Sequence, residues 1–402
     1  MKQTAVLAAL ILGVSLLGAE PLYSPTWGFR LDLPEGYELA GGDAKNQFSF
    51  ESSFGGKLDL SVYTARASAG ALADELGAKL SNRGQKHLFT YNGRETALVE
   101  LRFSGPRNAR FSGWALCLEL EKPAAPGSAG RPLLAAIAYG PEEGGLEALH
   151  LSALDSIEGG LCDRRLPGAV TEFRHPRGGW NLVPLANSAQ SAWFRENDAA
   201  AAQAVVDREF EVMKRYTASP RWQEAWKRFY RAIFKDSFDR LESAAFMLER
   251  SWNNAVTGPS GGGVKAEEAE RLGKRGGEAA GLASTALAWV QGFAYERDLM
   301  GSDFVNLVTA AREGRGDCDS RAMLWAIILE QANISAGIMV SRDYSHAMGL
   351  ADLEGGGARF PMKDGAGKEV RWLVAETTAS VALGQIGQTV SDVGKWLGIV
   401  FD

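Results

Sequence analysis

The sequence has no cluster of basic residues and contains few cysteines or histidines. Its 402 residues carry a net charge of −6 with a pI near 5.5, and the 43 Lys and Arg residues are scattered along the chain. Proteins that bind polyanions present a concentrated basic face, so we predict no nucleic-acid partner. The length suffices for two or three domains of roughly 100–200 residues, and the 46% hydrophobic content is ordinary for a globular protein.

Long apolar runs are absent except at the N-terminus, which reads MKQTAVLAALILGVSLLGAEP. Lys2, an apolar stretch over 5–17 and a small residue at Ala19 have the order of a secretory signal. The apolar stretch is shorter than the ~20 residues of a membrane span, although an uncleaved anchor is the alternative. Glu20 stands where a lipoprotein needs cysteine. We therefore predict a signal peptide over 1–19, a periplasmic or secreted mature protein, and no membrane span after cleavage.

Three cysteines leave at least one thiol unpaired in an oxidising compartment. Cys117 and Cys162 lie in the same N-terminal region, and a disulfide between them would leave Cys318 free. The alternative is that all three are buried, unreactive thiols.

The region 20–163 shows the pattern of a β-rich domain that also contains helices. Short alternating runs are separated by Gly, Pro, Asn and Ser, as in 29-FRLDLP-34, 58-LDLSVY-63, 97-ALVELRF-103 and 114-WALCLEL-120. Leucines at helical spacing interrupt this alternation around residues 72–80 and 146–157. The order predicts an antiparallel sheet with packed helices, and an α+β fold class for the chain.

The first of these runs, 27-WGFRLDLPEGYEL-39, resembles the opening strand of PsbP-like domains of exported bacterial proteins. The resemblance implies a partner-binding or targeting module rather than a catalytic one.

The segment 164–263 is predicted to be a helical linker or an extension of its neighbour. Ser219 and Pro220 favour a helix start, and apolar residues from Trp222 to Ile233 then recur on one helical face, which we interpret as a core face. The following 257-TGPSGGGVK-265 is a flexible break. It lacks the Gly-Lys pair of a phosphate loop, so we predict no nucleotide site.

Residues 264–402 are predicted to form the C-terminal domain. Within it, the stretch 314-GRGDCDSRA-322 contains the candidate catalytic cysteine. An apolar run follows Cys318, which predicts a buried helix with Asp317 as its N-terminal cap. In the first turn, free N–H groups and the helix dipole favour a thiolate, although Asp319 opposes this by charge repulsion. Such a thiolate can attack a carbonyl, and the Cys318 N–H can help to hold the oxyanion.

A cysteine nucleophile needs a base and a group that orients the base. His346 is the only histidine after Cys318, and Glu376 follows it by 30 residues. If 346–353 and 370–376 pair as antiparallel strands, His346 and Glu376 become cross-strand neighbours. The alternative for either residue alone is a core histidine or a solvated strand end. Together, the ordered residues predict a Cys-His-Glu triad.

Three motifs in this order resemble the transglutaminase-like superfamily over about the last third of the chain. They are 316-GDCDSRAMLWAIILEQANISAGIM-339, 345-SHAMGLAD-352 and 371-RWLVAETTA-379, with 289-WVQGFAY-295 as the preceding helix. The resemblance implies a papain-like α+β domain in which Cys318 is the nucleophile, His346 the general base and acid, and Glu376 the orienting acid. Gln291 is a candidate second oxyanion donor, with a structural role in capping its helix as the alternative.

The chain also departs from this family pattern, because glutamate replaces the commoner aspartate and a proline often found upstream of the cysteine is absent. No calcium loop is recognisable, so we predict neither a metal nor a cofactor. The expected function is hydrolysis or acyl transfer at a protein or peptide amide bond. The alternatives are an inert scaffold that serves as a cell-envelope binding or adhesion module, or autoprocessing at a linker such as 257–265.

Overall fold

The computed structural model describes residues 21–43, 45–122, 130–257, 273–297, 302–363 and 368–401. The chain forms two units, one of residues 1–176 and 208–232, the other of residues 177–207 and 233–402. The helical segment 164–263 therefore contributes to both units. The predicted signal peptide 1–19 and all but the first residue of the break at 257–265 lie outside the described residues.

The first unit is built around a seven-stranded sheet. Its elements are β1 Leu22–Tyr23, β2 Arg30–Leu31, β3 Tyr37–Gly42, β4 Gln47–Ser52, β5 Lys57–Tyr63, α1 Ala69–Leu80, β6 Lys86–Tyr91, β7 Arg94–Ser104, β8 Arg110–Glu119, β9 Leu133–Pro141, α2 Glu147–Asp155 and α3 Ala169–Arg174. The strand order is β3-β4-β5-β9-β8-β7-β6, and every neighbouring pair is antiparallel. The sequence predicted this sheet, and the prediction is confirmed.

Helices cover both faces of this sheet. Its strands carry apolar residues on both faces, and each face packs against a helix. Ala97 and Val99 of β7 pack with α1 on one face. Leu98, between them, packs with residues of α2 and α3 on the other. Since successive strand residues point to opposite faces, one alternating run supplies both cores.

The remaining elements follow in a second series. They are β10 Trp180–Pro184, β11 Ser191–Arg195, α4 Asp198–Lys214, α5 Trp222–Arg240, α6 Glu242–Thr257, α7 Gly273–Gln291, β12 Ala294–Tyr295, α8 Leu307–Glu313, β13 Arg315–Gly316, α9 Cys318–Gln331, β14 Ala336–Ser341, β15 His346–Ala351, β16 Arg359–Lys363, β17 Glu369–Ala375 and β18 Leu397–Val400. The second unit contains an antiparallel sheet of order β16-β17-β15-β14-β18. Along the chain, strand β16 lies between the two strands 346–353 and 370–376 that the sequence predicted to pair. Sheets and helices in both units confirm the α+β class.

All three cysteines lie among the described residues, and all three are free thiols. Cys117 is buried in the core under α1, where burial raises its pKa to about 12, whereas Cys162 is exposed. The suggested Cys117–Cys162 disulfide is therefore not formed. None of the helices in the described part of the chain combines the length and apolarity needed to cross a membrane.

Candidate active site

Cys318 is the first residue of α9, as the sequence predicted. Asp317 caps the helix with an extended backbone (φ −80°, ψ −172°), and its carboxylate accepts hydrogen bonds from the Ser320 N–H (2.8 Å) and hydroxyl (2.6 Å). This satisfies one of the orphan N–H groups at the helix start and leaves the thiol in the first turn.

Helix α9 is held against β15 by a close approach at Gly349. Residues 322–329 are almost completely buried, and a Cβ placed on Gly349 would lie 2.4 Å from the Trp325 ring. Only glycine permits this packing without a shift of the indole or the strand. Because His346 begins β15, the same contact brings the thiol-bearing helix to the strand that carries the histidine.

His346 and Glu376 form the central hydrogen bond of the site, with His346 Nε2 and Glu376 Oε2 2.8 Å apart. Strands β15 and β17 are antiparallel, as predicted, with Gly349 opposite Ala375. Continuing that register places Glu376 opposite Met348, two residues along the strand from His346. The predicted direct cross-strand pair is therefore wrong in register, and the two side chains meet along a diagonal, which long side chains can bridge.

Glu376 is held as a carboxylate by three donors. The Thr378 N–H (2.8 Å) and hydroxyl (2.6 Å) both donate to Oε1, while Oε2 faces His346. Burial alone raises the pKa of this carboxyl, but the hydrogen bond and charge of His346, together with Thr378, lower it below its ordinary value. An ionised Glu376 can orient the imidazole and stabilise it once it gains a proton.

Cys318 lies near the start of β15, because the backbone N–H of Ala347, the residue after His346, acts to lower the pKa of the thiol. Burial raises the pKa of Cys318 well above its ordinary value, and the charges of Asp319 and Asp317 raise it further against the opposing Ala347 N–H. The expected depression by the helix terminus is therefore outweighed. With its pKa raised, the thiol is neutral near pH 7, so it could act as a nucleophile only with the help of a base.

Gln291 does not have a free donor for an oxyanion. Its side-chain amide donates to the carbonyls of Glu376 (2.8 Å) and Val381 (3.0 Å). An amide nitrogen has two N–H groups, so both are engaged. This geometry does not support the predicted oxyanion role, nor does it cap the helix; Gln291 ties the end of α7 to the segment that follows β17.

Arg321 and Tyr295 are two site residues that the sequence reasoning missed. Arg321 is 2% exposed, and its guanidinium donates to the carbonyls of Gly316 (3.2 Å) and Phe293 (2.7 Å) while lying 5.6 Å from the centre of the Tyr295 ring. Tyr295 is half-exposed, and its strand pairs with β13 immediately before Cys318. The signal in the sequence was an arginine directly before the apolar run 322–329 of α9. A guanidinium buried with that run needs several acceptors.

A cavity of about 750 Å³ adjoins His346 and Glu376. Its other described lining residues are Ala358, Ala379, Val381, Gly384, Gln385, Ile386, Gly387, Thr389 and Val390, none of which is charged. Polar groups at one end of an otherwise uncharged pocket are typical of a site that orients a small substrate group.

No family model and no curated protein matches this sequence. Among solved structures, the PsbP protein CyanoP of Synechocystis sp. PCC 6803 is 11% identical, with 36% of this chain and 95% of that chain covered at a TM-score of 0.26. A protein of Bacteroides thetaiotaomicron VPI-5482 is 13% identical, with 54% and 78% covered at a TM-score of 0.24. Both TM-scores are below 0.5, so neither superposition assigns a fold or a function to this chain.

The cap residue Asp317 makes stability depend on pH. Burial and the charge of Asp319 raise its pKa from 3.8 to about 7. The folded protein holds the Asp317 proton more tightly than the unfolded chain does. This contribution to the free energy of unfolding is fully present below about pH 4 and is lost as pH rises through 7. Asp317→Asn keeps a capping oxygen, so its free energy of unfolding should rise relative to that of wild type, by at least about 1 kcal/mol, between pH 4 and 8.

Urea unfolding of both proteins at pH 4, 6 and 8 measures this difference. Asp352→Asn, at an exposed carboxyl in the same unit, serves as the control and should show no comparable trend. A free-energy difference between Asp317→Asn and wild type that stays constant over this pH range would contradict the raised pKa.

Proposed function

We propose that the chain is an exported thiol enzyme that acts on protein or peptide amide bonds through Cys318, His346 and Glu376. Residues 264–402 would then form a domain of the transglutaminase-like superfamily, working in the periplasm or outside the cell. The observation that carries the proposal is the 2.8 Å contact between His346 Nε2 and Glu376 Oε2. The N–H of Ala347, the residue after His346, is near enough to Cys318 to lower the pKa of its thiol. An imidazole oriented by a carboxylate near a thiol is the arrangement that nucleophilic catalysis needs, and this supports the proposal.

The imidazole geometry sets the order of proton transfers in this reaction. Since Nε2 faces Glu376, Nδ1 accepts the thiol proton as the Cys318 sulfur attacks the amide carbonyl. The N–H of Cys318 at the start of α9 supports the oxyanion. Glu376 stabilises the imidazolium, which gives its proton to the departing amine and leaves a thioester. Water or another amine then attacks the thioester, with His346 as base, and the thiol is restored.

The uncharged lining of the adjacent cavity favours a substrate whose acyl side is uncharged. A charged side chain of the substrate would lose its hydration in this cavity without gaining an opposite charge from the lining residues. Hydrolysis is the preferred outcome, which makes the protein a cysteine peptidase or amidase, while an amine acceptor makes it a transglutaminase-type acyltransferase.

A second function is favoured by the state of the thiol itself. Cys318 is 2% exposed and its pKa is raised, which suits an inert core residue as well as a nucleophile awaiting its base. In that case the C-terminal domain is a scaffold, and the protein is a cell-envelope binding or adhesion module.

A paired assay on denatured casein separates these functions. Peptide release reports hydrolysis, and incorporation of a fluorescent primary amine reports acyl transfer. We expect one of the two signals from wild type and neither from Cys318→Ala. If neither protein gives a signal, or if both give the same signal, the result would support the scaffold function.

A further inference from the structure

A second concave site lies in the same unit as the candidate triad, between the β10–β11 hairpin and helix α6. This aromatic groove has a volume of about 700 Å³. It is lined by Trp180, Trp193, Asp239, Glu242, Ser243, Phe246, Glu249 and Gln331.

Aromatic rings from both elements are presented to solvent in this groove. Trp180, Trp193 and Phe246 are 53%, 49% and 59% exposed, although rings of this size are usually largely buried. The backbone N–H of Trp193 donates to the Ser243 hydroxyl (2.9 Å), which fastens the hairpin to α6. The exposed rings therefore form one fixed surface rather than scattered surface residues.

The charged residues that line the groove are all acidic. Glu242 and Glu249 lie on one face of α6 with Phe246 between them, and neither has an ion-pair partner within the described part of the chain. The third carboxylate, Asp239, is paired with Arg177 at 2.5 Å. No lysine or arginine is among the described lining residues.

The chain itself shows how a cation fits here. The Arg195 guanidinium lies 3.8 Å from the centre of the Trp180 ring, a cation–π distance. A cationic ligand could contact the remaining aromatic rings, Trp193 and Phe246. Its charges could face the carboxylates of the two glutamates. A neutral saccharide can stack on tryptophan but gains nothing from the unpaired glutamates.

We propose that the aromatic groove binds an extended peptide segment that contains lysine or arginine next to apolar residues. The apolar side chains would cover Trp193 and Phe246, and the cations would face Glu242 and Glu249. The groove would then match the peptide in both charge and apolar surface. Complementary charge adds specificity to the affinity that apolar burial provides.

The groove is distinct from the triad. Gln331 ends α9 and Cys318 begins it, so at 1.5 Å per residue the two sites are about 20 Å apart along the helix. Binding here does not depend on the proposed chemistry, and it can be measured on Cys318→Ala protein.

The test is titration calorimetry of the full chain with blocked hexapeptides of alternating lysine and leucine, their glutamate–leucine counterparts, and a trimer of N-acetylglucosamine. We expect binding of the lysine peptide alone. The double variant Glu242→Gln/Glu249→Gln should bind about tenfold more weakly. The matched control Glu354→Gln/Glu369→Gln removes two exposed charges elsewhere in the unit and should bind as wild type does.

Several outcomes would overturn the proposal. They are equal binding of the lysine and glutamate peptides, binding of the saccharide alone, no binding of any probe, or the same weakening in both double variants. Circular dichroism melting curves establish that the variants are folded, so a lost signal reports the groove.

Discussion

Replacing Cys318 with alanine should abolish turnover of any amide substrate found for wild type, with a loss of at least about 10⁴-fold in kcat. The thiol is the only protein group in the proposed mechanism that forms a bond to the acyl carbon, so no other side chain of the site substitutes for it. Steady-state kinetics on the casein-derived substrate measure the loss. Mass spectrometry should find the acyl adduct on Cys318 in wild type and no adduct in the variant.

Cys162→Ala is the matched control, because it removes an exposed thiol whose pKa of about 11 reflects partial burial and then the charge of Asp163. This variant should retain the activity of wild type. Turnover that survives Cys318→Ala would rule out the thioester route and return the C-terminal domain to the role of a scaffold.

Glu376→Gln should reduce kcat by about 10²- to 10⁴-fold while the protein stays folded. The two Thr378 donors require an acceptor at the Oε1 position, so the glutamine oxygen takes that place. Its amide nitrogen then points at His346 Nε2. Nε2 must now accept a hydrogen bond, the proton moves to Nδ1, and the imidazole can no longer receive the thiol proton.

The same kinetics with Glu354→Gln, an exposed charge in the same unit, control for net charge. KM should change little in Glu376→Gln, because the carboxylate acts on the base rather than on the substrate. A kcat within threefold of wild type would contradict the orienting role of Glu376.

Much of the architecture around this site follows from local patterns in the sequence. Alternation in runs such as 97-ALVELRF-103 predicted an antiparallel sheet with packed helices, and the apolar run after Cys318 predicted a buried helix with Asp317 as cap. These features depend on neighbours within a few residues, so their periodicity is enough to find them.

The remainder depends on contacts between distant segments. The register that places Glu376 opposite Met348 is set by strand pairing and not by the residues themselves. The engaged amide of Gln291 needs the backbone carbonyls of 376 and 381, which sequence spacing does not locate. The raised pKa of Cys318 arises first from burial, and the exposure of Trp193 and Phe246 likewise appears only after folding.

The most direct test of the triad is the pH dependence of Cys318 alkylation by iodoacetamide in wild type and His346→Ala. A base beside a neutral thiol should make wild type react at least about tenfold faster near pH 7. The two rates should converge at high pH, where the thiol ionises without help. Superimposable profiles in the two folded proteins would contradict the pairing of Cys318 with His346.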